Sequence, residues 1–274
     1  MSEFRSTSVP VAPDYDPQAK QNLIREVGFD RHFKAGSWAD YNRQFFDGLA
    51  EKYDATCVVH SLGTKARMDR DFVDQLSLQA PKRILDVACG SGDISILLAR
   101  RFPEAEVIGL DAAPRMLAVA GRKAAGIGNL LFMQGDALAL PFSDACFDAV
   151  TISYGLRNLT DLRAGLAEFR RVTRPGGVVS SVDQGKPHNA LFNLIYRIQF
   201  QMLGPVLGKL LFHRGEFNSF RYLPKSNQYF PDQRMLVGMF QAAGFTDVAL
   251  HEHWWGAVAQ QTGRVRDATR IGPR

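Results

Sequence analysis

The stretch Ile84–Asp93 (ILDVACGSGD) carries a short apolar run into a glycine-rich turn, Gly90-Ser91-Gly92, with Asp93 directly after it. Two such glycines let the backbone approach a ligand closely, and a helix N-terminus beyond them favours a carboxylate. Asp86 lies inside the apolar run, and Asp111 lies nineteen residues beyond Gly92, at the end of the next one. A carboxylate there can accept from both hydroxyls of a ribose. After a third run comes Gly135-Asp136-Ala137; Asp136 could accept from an adenine amino group or serve only as a turn residue. No GxGxxG is present, and Asp93 stands where a pyrophosphate would meet negative charge. Acidic residues in this pattern favour a nucleoside with a cationic end and no phosphate. S-adenosylmethionine (SAM), with its sulfonium, ammonium and ribose, meets that description.

Other groups carry weaker signals. Cys57, Cys89 and Cys146 are far apart and show no CxxC, so neither a disulfide framework nor a zinc site is expected, nor any other metal. His188 and His213 could act as bases, although lone histidines in such a segment are more often surface residues. Residues 190–212 (ALFNLIYRIQFQMLGPVLGKLLF) read either as a greasy lid for a polyprenyl tail or as two core helices split at Gly204-Pro205. Trp254-Trp255 fits packing better than a membrane anchor.

These residues need a scaffold, and the middle of the chain alternates in a way that supplies one. Strands are predicted at Arg83–Val87, Val107–Leu110, Leu130–Met133, Phe147–Ile152 and Val178–Val182. Between them lie helical patterns: Ile94, Leu97 and Leu98; Pro114 opening a helix with Met116, Leu117 and Ala120; and Leu162, Leu166 and Phe169. Such alternation means βαβ units and a parallel sheet covered on both faces, an α/β, Rossmann-like fold. A further helix is expected at Asp232–Ala243, with strands near Val248–Glu252 and Trp255–Gln260. The expected organisation is a poorly ordered stretch over 1–20 and a single domain over 21–262, followed by a basic tail over 263–274. Within the domain, residues 21–80 form a helical cap, where Phe45, Leu49 and Tyr53 recur at four-residue steps, and 188–230 form a lid.

The composition, 46% apolar and 22% charged, is that of a chain able to bury a full core without staples. The N-terminus lacks a secretory pattern, and no run of 18 apolar residues occurs, so a spanning helix is not expected. A cytoplasmic setting fits, and peripheral membrane contact and a homodimer are both compatible with the sequence. The net charge of +5 gathers partly in the tail, a solvated end or a contact for acidic lipid. No basic run interleaved with aromatics points to nucleic acid.

Over residues 43–263 the chain resembles the UbiE family, C-methyltransferases of ubiquinone and menaquinone biosynthesis. The resemblance rests on LDVACGSGD (85–93), ALPFSDACFDAVTISYGLRNLTD (139–161), RVTRPGG (171–177), FRYLPKSNQYFPDQ (220–233) and AGF (243–245). It implies a class I fold, seven strands with the last antiparallel. It also implies SAM contacts at Ser91, Asp111, Asp136, Ala137 and Ser153, beside the Gly90–Gly92 turn. Arg157 and Asn158 would lie beside the reacting ring, with Tyr53 capping the site. The chain departs from the family where Asp54 is followed by Ala-Thr-Cys-Val, and where the fifth strand ends Asp183-Gln184-Gly185-Lys186-Pro187 instead of Glu-Phe-Ser-Lys-Pro. The implied reaction places a methyl group on a ring carbon of a prenylated quinol. Arginine stays protonated, so Arg157 would stabilise a developing phenolate, act through a water, or form a structural ion pair. A methyltransferase of phenolic or lipid-like secondary metabolites is the alternative activity, and a SAM-binding regulatory protein the non-enzymatic one.

Overall fold

The computed structural model describes residues 37–76, 78–198, 226–227 and 229–267. Seven strands form one sheet in the order β3-β2-β1-β4-β5-β7-β6. They are β1 (Arg83–Val87), β2 (Glu106–Asp111), β3 (Leu130–Gln134), β4 (Phe147–Ser153), β5 (Thr173–Gln184), β6 (Phe245–His253) and β7 (Val258–Val265). The first five are mutually parallel, and β7 runs antiparallel to both β5 and β6. The predicted α/β architecture with an antiparallel last strand is therefore observed. Strand β7 continues through residues 263–265, inside the stretch read from sequence as a basic tail.

Side-chain alternation along the strands makes two apolar layers. Leu85, Val87, Val150 and Ile152 face one side, against Leu162, Leu166 and Phe169 of α6 (Leu162–Val172) and Leu236 and Phe240 of α8 (Gln233–Ala242). Ile84, Val107 and Ala149 face the other. There they meet Ile94 and Leu98 of α4 (Asp93–Arg101) and Met68, Phe72 and Val73 of α3 (Lys65–Asp74). A bulge between Phe147 and Ala149 breaks the two-residue period, so Phe147 joins the layer of Val150. Each fully buried Leu, Ile or Phe contributes about 1.5–3 kcal/mol. Within the segment expected as a cap, α3 thus belongs to the core and covers the sheet beside α4.

Helix α1 (Trp38–Leu49) and a short 3-10 turn (Ala50–Lys52), which leads into α2 (Tyr53–His60), pack against α5 (Pro114–Lys123), the crossover helix between β2 and β3. Ser37 caps α1 by accepting from the Asp40 N–H at 3.1 Å. Trp38, Tyr41, Phe45 and Leu49, at helical spacing, make its buried stripe. Helix α7 (Ala190–Ile198) follows β5. Residues 199–225 of the expected lid, including the RYLP motif at 221–224 and His213, lie outside the described residues, as do residues 1–20.

Candidate functional site

The carboxyl ends of β1, β2, β3 and β4 surround an open cavity of about 880 Å3 with its mouth included. Its wall includes Gly90, Asp111, Asp136, Ala137, Ser153, Asn158 and Tyr53, seven of the positions singled out from sequence. Asn42, Arg43 and Phe46 of α1 form the roof.

The floor is a turn that only certain residues can make. Gly90 (φ +56°) and Gly92 (φ +84°) both occupy left-handed backbone. A Cβ on Gly92 would lie 3.0 Å from Ala120 and from the Phe132 ring, so this glycine serves close packing at the start of α4. Asp111 holds the turn in place. Its Oδ2 accepts from the Gly90 N–H at 2.8 Å and its Oδ1 from the Ala113 N–H at 2.9 Å. Burial raises its pKa, and these N–H groups act against that rise. Asp136 accepts from the Leu138 N–H at 2.9 Å as a turn residue, and it also lines the cavity. The fit to SAM is chemical as well as spatial, since a carboxylate at the end of β2, on the cavity wall, suits ribose hydroxyls.

Four sequence candidates are not on the wall. Asp86 is fully buried and turns into the sheet, accepting from Ser95 Oγ at 2.6 Å and Thr151 Oγ1 at 2.9 Å. Burial pushes its pKa up to about 7 despite those two hydroxyls. Gly92 packs behind the turn, as above. Ser91 donates to Asp54 Oδ1 at 2.6 Å and accepts from Lys123 Nζ at 3.2 Å. Arg157, 5% exposed, pairs with Asp183, 1% exposed, through its Nη1.

Sequence reasoning missed two sets of residues. Trp38 Nε1 and Asn42 Nδ2 both donate to the Asn158 carbonyl, at 2.9 and 3.0 Å, tying α1 to the 3-10 turn Leu156–Asn158. The helical stripe Trp38-Tyr41-Phe45-Leu49 would have located α1, but nothing in a single sequence pairs it with residue 158. The second set is ionic. Lys123 Nζ binds Asp54 Oδ2 at 2.6 Å and Asp93 Oδ1 at 2.5 Å, and Lys65 Nζ binds Asp69 and, at 3.0 Å, Asp93 Oδ2. Burial works against the Lys65 charge, but Asp69 and Asp93 outweigh it and raise the ammonium pKa; burial likewise works against the Asp93 charge, but the two lysines prevail and lower its pKa. The network joins the cap, through Asp54 and α3, to the Gly-rich turn.

Next to it lies a cluster of aromatic and basic groups. Tyr154 (φ +53°) lines the cavity from left-handed backbone, and burial raises its phenol pKa. Tyr53 is raised by the neighbouring Cys57 and by burial, while Lys65 and Arg157 pull the other way. His60 is driven down to about 4 by burial and then by Arg157, so its ring is neutral at physiological pH. His188, 55% exposed in its side chain, sits 3.9 Å from Glu252 and does not line the cavity.

Two motif carboxylates turn out to be helix caps. Asp161 of SYGLRNLTD accepts from the Arg163 and Ala164 N–H groups, and Asp232 of PDQ from those of Arg234 and Met235. Gln233 accepts from the Lys186 N–H at 2.9 Å and donates to the Lys186 carbonyl at 3.1 Å, which fixes the chain leaving β5.

A doubly wound seven-stranded sheet with its last strand antiparallel and a cavity at its strand ends is the class I methyltransferase fold. Solved structures share that fold at low identity. A SAM-dependent methyltransferase from Thermotoga maritima has TM-score 0.57 at 16% identity, over 81% of this chain and 98% of that one. Phosphoethanolamine N-methyltransferase 2 of Haemonchus contortus in complex with SAM has TM-score 0.56 at 15% identity, over 73% and 52%. The model of the ubiE/COQ5 methyltransferase family matches residues 35–265, and the chain belongs to that family. Among its relatives are the demethylmenaquinone methyltransferase of Thermus thermophilus, 45% identical over 73% of this chain and 91% of that protein, and that of Geobacillus kaustophilus, 37% identical over 81% and 95%.

Proposed function

We propose that this chain uses SAM to methylate a ring carbon of a prenylated quinol, with reduced demethylmenaquinone as its acceptor. The observation that carries the proposal is that relatives named for this reaction match most of the chain, while the family match spans every wall residue of the cavity.

Bound SAM supplies an electrophilic methyl group on its sulfonium. Asp111 would accept from the ribose hydroxyls, Asp136 from the adenine amino group, and Ala137 and Ser153 would complete the nucleoside pocket. The Gly90-Ser91-Gly92 turn, ahead of the α4 N-terminus, suits the carboxylate of the methionine portion. Asp86 supports the turn from below through Ser95 and Thr151. On the acceptor side, Tyr53, Tyr154 and Asn158 would enclose the quinol ring. The permanent charge of Arg157 favours loss of the hydroxyl proton, because phenolate charge develops as the ring carbon becomes nucleophilic. Positioning supplies much of the remaining rate.

No helix among the described residues is long and apolar enough to cross a membrane. A peripheral contact is supported by an apolar rim at the same edge as the cavity. Leu191 and Leu194 of α7 are 69% and 56% exposed, and Trp254 and Trp255, after β6, 43% and 56%. Trp255 packs on Phe192 at 5.0 Å and still leaves half its surface uncovered, a disposition suited to a membrane interface.

The test is a panel of acceptors given to the purified protein with SAM: reduced demethylmenaquinone, the corresponding prenylated benzoquinol, and unprenylated phenols. Methylation of the naphthoquinol is expected to dominate. A preference for the benzoquinol would move the acceptor to the ubiquinone branch, and a preference for plain phenols would overturn the prenylated reading.

A further inference from the structure

We propose that Asp183 is a positioning residue for methyl transfer, holding Arg157 and its backbone in one arrangement directly behind the cavity wall formed by Tyr53, Tyr154 and Asn158. The inference rests on the proposed role of Arg157 as the charge beside the acceptor.

The geometry points to positioning because one carboxylate grips Arg157 twice. Asp183 Oδ1 takes the guanidinium Nη1, and Oδ2 accepts from the backbone N–H of Arg157 at 3.3 Å. The same Oδ1 accepts from the Gln184 N–H at 2.8 Å, which anchors the carboxylate to its own strand end. The strand is itself fixed: Asp183 pairs with Ala259 across β5 and β7. Side chain and main chain of Arg157 are therefore referred to the sheet together. The next residue, Asn158, is held from the opposite side by Trp38 and Asn42, and its amide donates to the Tyr154 carbonyl at 3.4 Å. A three-residue turn gripped from the sheet below and the cap above has little freedom left.

Stability alone gives a poor account of such a pair. Burying two charges costs several kcal/mol per ion before their attraction returns it, and apolar residues of similar volume often serve as well. Arg157 also has neighbours that matter for chemistry. Its charge reaches Tyr53, His60 and Tyr154, two of which line the cavity. Unrestrained, a guanidinium on a long flexible stem would sample several arrangements among them. Asp183 selects one, which is what preorganised charge stabilisation requires.

The experiment compares Asp183→Asn, Asp183→Glu and Arg157→Gln, measuring SAM affinity by calorimetry, thermal midpoint, and kcat with a short-chain reduced demethylmenaquinone. Arg157→Gln is expected to lose about a hundredfold in kcat, and Asp183→Asn about as much, as misplacement of a reacting group by about 1 Å does. SAM affinity should stay within about twofold in each, since a lost transition-state contact lowers kcat without touching cofactor binding. Asp183→Glu, which keeps the charge one methylene further out, should recover about tenfold of that loss, and the Asp183→Asn/Arg157→Gln double variant should be no worse than Arg157→Gln alone. If Asp183→Asn does not fold, Asp183→Glu carries the test: its kcat should fall about tenfold at unchanged SAM affinity. Full kcat in any folded Asp183 variant, or parallel loss of SAM affinity and kcat, overturns the inference while leaving the role of Arg157 intact. Full activity in Arg157→Gln removes the role of Arg157 itself, and the inference with it.

Discussion

The proposed nucleoside and acceptor halves of the cavity are built on different plans. The nucleoside half is made of strand ends and the turns that follow them, and its contacts are largely backbone: Asp111 to the Gly90 and Ala113 N–H groups, Asp136 to the Leu138 N–H. The acceptor half is assembled from side chains of distant segments. Trp38 and Asn42 reach the Asn158 carbonyl, Asp183 reaches Arg157, and Lys123 reaches Asp54. A turn specified by glycines and one carboxylate can accept a common cofactor with little variation. A site made of long-range side-chain contacts can change its acceptor when any one of several residues changes. The departures from the family pattern, after Asp54 and at Asp183, fall on this second half.

The contrast can be broken most directly at Asp111. Asp111→Ala removes the acceptor of two backbone N–H groups as well as the proposed ribose ligand, and about a hundredfold loss of SAM affinity by calorimetry is expected. Unchanged affinity would mean that the nucleoside half lies elsewhere.

A smaller effect is expected at Lys123, which links the halves. Lys123→Ala leaves Asp54 and Asp93 without that cation, and should weaken SAM about fivefold while lowering the thermal midpoint by a few degrees. Repeating the melt in about 1 M salt should shrink the difference between wild type and variant, because a partly exposed network is screened. An equal difference at both salt concentrations would assign Lys123 to packing.

Asp86 sharpens the comparison through pH. Its folded pKa, near 7, lies above the unfolded value of about 3.9, so the folded state holds the extra proton between them. The contribution is complete below about pH 4 and is lost as pH rises through 7, since stability falls with pH wherever the folded state binds more protons. Wild type should therefore lose several degrees of thermal midpoint between about pH 5 and 8, beyond the loss shown by Asp86→Asn. Parallel pH profiles would contradict this.

The smallest effect belongs to the apolar rim. Trp254→Ala together with Trp255→Ala should reduce turnover of a long-chain quinol in liposomes about threefold and leave a short-chain quinol in detergent unchanged, as interfacial tryptophans supply docking and no chemistry. Equal losses in both would make the pair a packing element.

The same contrast explains what could be read from the sequence. Arg83–Val87 was bounded correctly because five apolar-rich residues end in Ala88-Cys89-Gly90, a break no helix could absorb. Asp111 and Asp136 are legible for a similar local reason, since Asp111 closes β2 and Asp136 follows β3 by two residues. The limits of β5 and β7 were not. Residues 173–177 (TRPGG) lie outside the predicted strand Val178–Val182 yet extend it, pairing Thr173 with Phe147, and residues 261–265 gain their strand partners only from the distant β5 and β6. On the acceptor side, Arg157 and Asn158 were found by motif, whereas Asp183 and Trp38 were invisible because their partners lie 26 and 120 residues away. Lys123 lies in the last turn of an amphipathic helix, where nothing local marks its distant partners Asp54 and Asp93.

One consequence of the strand order concerns how such a chain is made. Strand β7 is later in sequence than every other, yet it lies between β5 and β6. As the polypeptide leaves the ribosome, β6 emerges with no neighbour to receive it, and the gap beside β5 persists until Val258–Val265 arrives. The nucleoside half, complete by Ser153, can take shape on the nascent chain. Asp183, at the strand end that borders the gap, gains its cross-strand partner Ala259 only after almost the whole domain has been synthesised.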